Sequence, residues 1–376
     1  MLDASHTAET ATFNARELRN AVAMAAQVVE RRNTIPILGT LRITATPEGA
    51  QVRATDLDME IFLQIEPLAA SGTLDFTIEP RLMASLLRYA DDQVTITTHK
   101  DLVTITVDDV EARIRDLCNP ATDWPGMIGP LSDEAMISEA ALHKALAACI
   151  PCISAEETRY YLNGIWLHQI DGHACAVATD GHRLARYQTQ EPWPFPGQIV
   201  PRKTVKLLQR LLRPGGNGQI TAMVAPDQTN STEPTLAPKQ PSNRVEFTGD
   251  GWRLISRTID GCFPDYLRVI PKSEPNITAT LTHHALCRFG EPHERCRAIS
   301  IDPVKGRMTY SRPYGPTISM PVQAKGDQTI GFNLDYLRGF TARAGTIRLE
   351  SKSSGDPALI LTDDPNLTQV LMPMRV

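Results

Sequence analysis

The chain has 376 residues, 42% apolar and 22% charged, too long for a single core and consistent with two or three domains of ordinary size in a globular protein. No apolar run reaches the length of a membrane span, and the opening MLDASHTAETA has neither the basic start nor the apolar centre of a signal peptide, so residues 1–11 read as a flexible tail on a cytoplasmic protein. A net charge of −5 argues against nucleic acid unless the basic residues gather on one surface, and seven scattered cysteines are too few for a disulfide scaffold.

Along the chain, a polar or proline-containing start followed by a short amphipathic helix occurs six times. The segments are FNARELRNAVAMAAQVV from Phe13, FTIEPRLMASLLRYA from Phe76, ISEAALHKALAAC from Ile137, IVPRKTVKLLQRLL from Ile199, LTHHALCRF from Leu281 and GFNLDYLRGFTAR from Gly331. Apolar residues return every three or four positions, as at Leu82, Leu86 and Leu87 or at Leu142, Ala145 and Leu146. Between the helices lie period-two strands joined by Gly/Asp turns, in LRITATPEGAQVRATDL, QVTITTHKDLVTITV, VEFTGDGWRLIS and IRLESKSSGDPALIL. A helix plus such a meander cannot bury its own sheet face, so the units must pack together.

The register indicates duplication. Leu18 and Leu142 lie 124 residues apart, and Leu82 and Val205 lie 123 apart. A third pair of units starts near Leu286, displaced by the Pro/Ser/Thr-rich segment 225–243, which reads as a disordered surface loop. The expected fold is α+β: three similar domains, each two helices packed on antiparallel sheets, six helix–sheet repeats in all. Their expected bounds are 12–130, 131–272 with the 225–243 loop, and 273–376 with a shortened first half. The helix-to-helix span there is 51 residues, against 64 and 63 in the other two, and Gly290 and Pro292 end the fifth helix early.

ATDGHRLA (178–185) lies 124 positions after ATDLDMEI (54–61), at the same place in its unit. The shared Ala-Thr-Asp predicts a structural turn whose Asp side chain bonds nearby backbone N–H groups, while Gly181, His182 and Arg183 are peculiar to the second copy. An enzymatic reading would use Asp180, His182 and Cys175, but Cys175 falls in an alternating strand and no serine nucleophile elbow occurs. Cys149-Ile-Pro-Cys152 closes a helix rather than opening one and has no second ligand pair, so it reads as apolar filling; no metal or cofactor is expected. All six helices carry Lys or Arg, most densely in the fourth, with Arg202, Lys203, Lys206, Arg210 and Arg213. On an acidic chain this favours one shared positive surface for a phosphate backbone contacted without base reading.

With these repeats in place, the chain resembles the bacterial DNA sliding clamp family, the beta subunits of DNA polymerase III, over nearly its whole length. The stretches that carry the resemblance are NTIPILGTLRI (33–43), EETRYYLNGIWL (156–167), ATDGHRLA, VPRKTVKLL (200–208), IDGCFPDYLRVIP (259–271) and the terminal VLMPMRV (370–376). It implies the DNA clamp fold and a non-enzymatic head-to-tail homodimeric ring whose helices surround double-stranded DNA of any sequence. Arg32, Tyr160 and Tyr161 match family positions that touch DNA, with Glu156 standing where some members have an amide. A peptide pocket is implied at Leu162, Thr179, Gly181, His182, Arg183 and Leu184, at Pro264, Arg268 and Val269, and at Val370, Met372, Pro373, Met374 and Arg375. Its implied partners are the DNA polymerase catalytic subunit, the clamp loader, and other polymerases and repair proteins bearing short motifs; no membrane is involved. In the family the fifth helix meets the neighbouring protomer near positions matching Ile114 and Asp116. The shortened helix and charged Asp116 leave open a second reading, a clamp-fold adaptor that binds partner peptides without a stable ring.

Overall fold

A computed structural model describes residues 8–30, 34–100, 102–115, 120–127, 132–224, 244–291, 297–312 and 315–376. The chain forms two compact units, Met1–Ile137 with Gly218–Thr258, and Ser138–Asn217 with Ile259–Val376. The 225–243 segment, Arg32 and Asp116 lie outside the described residues.

In the first unit, helix α1 (Ala15–Ala25) starts where the Asn14 side chain accepts from the Arg16 and Glu17 N–H groups, both at 3.1 Å, with Glu17 favourably placed in the first turn. Leu18, Val22 and Ala25 form its buried stripe. Helix α2 (Pro80–Leu87) begins on Pro80, whose fixed φ suits a first helical position, and buries Pro80, Met83 and Leu87. The expected stripe is therefore shifted: Leu82 is 38% exposed and Met83 takes the inward place. The burial pattern also aligns Pro80-Arg81 and Leu86-Leu87 with Pro201-Arg202 and Leu207-Leu208, two positions from the register read from sequence.

Two antiparallel sheets complete this unit. The five-stranded one runs in the order Pro67–Ser71, Glu9–Asn14, Gln93–His99, Leu102–Val107, Val110–Arg115. Residues 9–11, expected in the flexible tail, are thus in a central strand, where the Thr10 and Thr12 hydroxyls meet those of Thr97 and Thr95 at 3.1 Å. The eight-stranded sheet runs in the order Ser132–Ser138, Gln219–Val224, Arg244–Gly249, Trp252–Arg257, Met59–Ile65, Gly49–Thr55, Leu41–Thr46, Leu74–Ile78. Leu254 opposite Ile61 joins strands nearly two hundred residues apart in sequence. That pairing covers one edge of each of the two meanders it joins, while the sheet still ends on open strands at Ser132–Ser138 and Leu74–Ile78.

The second unit holds α3 (Glu139–Cys149), α4 (Arg202–Leu211), α5 (His283–Cys287) and α6 (Leu334–Ala344). A nine-stranded sheet runs in the order Gln198–Pro201, Gly164–Ile170, His173–Thr179, Arg183–Thr189, Leu367–Leu371, Ala358–Leu361, Thr346–Ser351, Ile277–Thr282, Gln323–Lys325. A four-stranded sheet orders Thr317–Pro321, Arg307–Ser311, Ala298–Asp302 and Ile330–Asn333. Helices pack in sequential pairs, α1 on α2, α3 on α4 and α5 on α6. Cys149 and Cys152 are fully buried between α3 and the sheet, with the Cys149 thiol donating to the Ala176 carbonyl at 3.3 Å. Burial raises both thiols, Cys152 to about 12, so they are protonated filling.

Some of the basic residues have structural work. In each helix pair one arginine hydrogen-bonds carbonyls at the end of the partner helix or in the few residues that follow it, where the helical bonding pattern has stopped. Arg19 donates to Leu87 O at 2.7 Å and to Ala90 O, Arg202 to Ile153 O at 2.7 Å and to Ser154 O, and Arg338 to Leu286 O at 3.0 Å and Gly290 O at 2.5 Å. Helix α5 has only five residues and closes through 3-10-type bonds to Gly290, whose φ is +66°.

Candidate functional site

ATDGHRLA folds as a turn between the strands His173–Thr179 and Arg183–Thr189. Asp180 Oδ1 accepts from the His182 and Arg183 N–H groups, each at 2.9 Å, and Oδ2 accepts from Arg183 Nε at 3.1 Å. Thr179 Oγ1 donates to Arg183 O at 2.8 Å and accepts from Gly181 N at 3.1 Å. The earlier copy repeats these backbone bonds position for position. Asp56 accepts from Asp58 N at 3.0 Å and Met59 N at 2.7 Å; Thr55 Oγ1 donates to Met59 O at 3.0 Å and accepts from Leu57 N at 3.1 Å. Leu57 even shares the left-handed conformation of Gly181, with φ of 73° and 87°. The Asp is therefore a turn former in both copies, as the repeat predicts. Glycine at 181 suits that left-handed backbone, and a Cβ there would lie 2.5 Å from Arg159 Nη1, the far end of a flexible side chain at the cleft wall.

Gly181, His182 and Arg183 edge a cleft of about 270 Å³. The turn supplies Thr179, Gly181, His182, Arg183 and Leu184; the segment before Gly164–Ile170 supplies Arg159, Tyr161 and Leu162; residues 264–269 supply Pro264, Asp265, Tyr266 and Val269; and the C-terminal strand supplies Val370 and Met372. Met372 N donates to His182 O at 2.8 Å, which ties the last wall to the turn. Below lies a cluster of Leu162, Cys175, Val177, Leu184, Ile199, Phe263, Tyr266 and Val370. Trp166 stacks between His168 (centroids 3.7 Å) and Phe263 (5.1 Å), and Tyr266 Oη meets His168 Nε2 at 3.3 Å. Burial holds the His168 imidazole down to about 4 and pushes the Tyr266 hydroxyl up to about 12, so both are neutral supports.

Ten of the fourteen expected pocket residues line this cleft. The exceptions have local causes. Residues Tyr266–Val269 form a 3-10 turn that sets the exposed Val269 on the cleft wall, whereas Arg268 lies off the cleft and pairs with Asp265 at 2.7 Å. Pro373 follows the strand Leu367–Leu371, which is interior to its sheet rather than an edge, and beyond it Met374 N bonds Gly331 O at 2.8 Å in the other sheet. Pro373 thus marks a change of sheet; Met374 and the exposed Arg375 lie off the cleft. Sequence reasoning missed Arg159, Asp265 and Tyr266 on the walls, and Tyr336 of α6 behind them. The Arg183 guanidinium sits 4.2 Å over the Tyr336 ring and the His182 ring lies 6.4 Å from it, a contact across more than 150 residues that no local pattern signals.

Of the residues expected at DNA, Arg32 is undescribed. Tyr160 is exposed, and its ring meets that of Tyr161 edge-on at 5.8 Å. Tyr161 lines the cleft. Lys203, Lys206 and Arg210 are exposed along one side of α4, opposite the buried Thr204, Val205, Leu207 and Leu208. Arg202 is turned onto the Ile153 and Ser154 carbonyls. Among the described residues no cluster of three or more His, Cys, Asp or Glu could hold a metal, and no helix is long and apolar enough to cross a membrane.

Comparison with known proteins gives consistent matches. Residues 11–127 match the N-terminal domain of the DNA polymerase III beta subunit, and residues 136–265 match its central domain. The chain is 31% identical over 392 residues to the beta sliding clamp of Caulobacter vibrioides, covering 97% of this chain and 99% of that one. It is 26% identical to the beta sliding clamp of Pseudomonas aeruginosa, again over 97% and 99%. Among solved structures it is similar to the sliding clamp of Bartonella birtlesii bound to griselimycin, with a TM-score of 0.86 and 27% identity over 98% of this chain and 100% of that one. The DNA polymerase sliding clamp of Caulobacter crescentus gives 0.80 and 29% over the same shares.

Proposed function

The chain belongs to the bacterial beta sliding clamps, the beta subunits of DNA polymerase III, and acts as a DNA sliding clamp; from that premise we propose that it closes as a head-to-tail homodimer around duplex DNA and tethers partners by their peptide segments at the Gly181–Met372 cleft. The observation that carries the docking role is the cleft itself, which four separate chain segments converge to build. Leu162, Leu184, Val370 and Met372 offer an apolar floor, and its volume, small for a ligand pocket, suits one or two anchoring side chains of an extended segment rather than a whole folded partner. The polymerase catalytic subunit, the clamp loader and other polymerases or repair proteins would compete for it. The role is a processivity factor's in the cytoplasm, not a catalyst's. The Asp180 carboxylate is engaged with two backbone N–H groups and Arg183, which supports a scaffolding part for that motif.

The three-domain division at 12–130, 131–272 and 273–376 belongs to the same proposal. DNA would be met by Lys203, Lys206 and Arg210 with Tyr160, and by Arg32, through sequence-independent and salt-sensitive contacts. Met372→Lys, at a 37% exposed position on the cleft wall, is expected to weaken binding of a fluorescent peptide carrying apolar anchors at least tenfold. Unchanged affinity would remove the cleft from consideration. The ring is tested by retention on nicked circular DNA that is lost when the circle is cut open. The five-residue α5 favours one alternative, an adaptor that binds peptides as a monomer, and a single 41.4 kDa species in sedimentation at micromolar concentration would select it.

A further inference from the structure

Beside the docking cleft runs a second, more open groove of about 500 Å³. One bank is the segment 267–273, and the other is the turn that carries Lys352, Asp356 and Pro357. Val269, 40% exposed, lines both cavities, so the groove continues the cleft rather than standing apart from it. Arg268, expected in the cleft and absent from it, is found here. The groove differs from the cleft in its charge. Arg268, Lys272 and Lys352 line it against the single carboxylate of Asp356, on a chain whose net charge is −5. Asp356 Oδ2 already accepts from the Ser353 hydroxyl at 2.7 Å, and Arg268 is held by Asp265 at 2.7 Å. Lys272 and Lys352 are exposed, stand on opposite banks and make no ion pair among the described residues. Leu267 and Pro271 add apolar surface between them. An extended chain whose apolar anchors enter the cleft can therefore cross Val269 and bring its next residues between two unpaired cations.

We propose that this groove receives the acidic flank of the same partner segment whose apolar anchors fill the cleft, with Lys272 and Lys352 pairing its carboxylates. The groove has this role only if the cleft docks peptides. Charge at the flank then sorts partners that share similar anchors: an acidic flank is favoured and a basic one is repelled.

The test uses the full-length protein and a short fluorescent peptide with leucine anchors. The peptide is made with Asn-Asn at both ends, or with Asp-Asp replacing one pair at its N-terminal or its C-terminal end. At low ionic strength, one of the two acidic peptides is expected to bind about three- to tenfold tighter than the neutral one in fluorescence polarisation, as suits two exposed charge pairs. Lys272→Gln with Lys352→Gln should erase that advantage and leave the affinity of the neutral peptide unchanged. Lys305→Gln, in a hairpin of the four-stranded sheet, should erase nothing. Lys272→Glu with Lys352→Glu should invert the preference. Equal affinity of all three peptides for the parent, or an advantage that survives the double glutamine variant, would overturn the proposal. So would weaker retention of that variant on nicked circular DNA with its peptide preference intact, which would assign the two lysines to phosphate. A neutral peptide that fails to bind, or that binds regardless of Met372→Lys, overturns docking at the cleft itself, and the role of the groove falls with it.

Discussion

Replacing Asp180 by alanine should uncouple turn stability from partner binding in a way that its twin, Asp56→Ala, does not. Asp180→Ala removes two bonds to backbone N–H groups at 2.9 Å and one to Arg183 Nε at 3.1 Å, around a carboxylate only 15% exposed. Hydrogen bonds to a charged partner each contribute roughly 1.5–3 kcal/mol, but the three share one side chain and water replaces part of them, so a local loss of about 2–4 kcal/mol is expected. Asp56→Ala removes at least two bonds, at 3.0 and 2.7 Å, and should cost about 2–3 kcal/mol by the same reasoning. Hydrogen–deuterium exchange should show faster opening of residues 178–187 in one variant and of 54–61 in the other. Only Asp180→Ala frees His182 and Arg183 from the cleft wall, so only it should lower the affinity for an apolar-anchored peptide, by more than tenfold in fluorescence polarisation. Equal loss of peptide affinity in both variants, or none in Asp180→Ala, would refute the assignment of the second copy to docking.

The other predictions separate structural from functional charges. Lys203→Ala, Lys206→Ala and Arg210→Ala together should flatten the salt dependence of DNA retention, by up to about 3 in the log–log slope. Arg202→Ala should do the reverse, destabilising the fold through the abandoned Ile153 and Ser154 carbonyls and leaving the slope unchanged. Tyr336→Ala removes the ring beneath Arg183 and should weaken peptide binding three- to tenfold, in keeping with a cation–π contact of about 0.5–1.5 kcal/mol. His168 is held down to about 4 in the folded protein, so between pH 6.5 and 4 the unfolded chain binds a proton that the native one does not. Stability should fall across that window by about 2–3 kcal/mol more in the parent than in His168→Phe, measured by urea midpoints at pH 7 and pH 4.5.

The 124-residue repeat was legible from residues alone because the same bonding chemistry recurs at the same spacing: Thr55-Asp56 and Thr179-Asp180 use short-range bonds that local sequence dictates. The six helices were legible for a similar reason, since a cap at Asn14 or Asn333 and an apolar stripe are local features. The register of α2 was misread because Leu82 and Met83 are equally apolar, and only packing decides which one faces inward.

Charge gave the sharpest division between the two levels. Composition and spacing place an arginine or lysine in or beside every helix, but not what their long side chains reach. Arg202 and Lys203 are neighbours in one basic run, yet the first closes the end of a helix segment and the second stands exposed on α4. Sequence likewise determined the turn that places His182 and Arg183 together, whereas Tyr336, Tyr266 and Arg159 joined them only through the folding of distant segments. Local hydrogen bonding is encoded over a few residues; a cleft wall is a coincidence of surfaces in space, and only the tertiary structure brings those surfaces into contact.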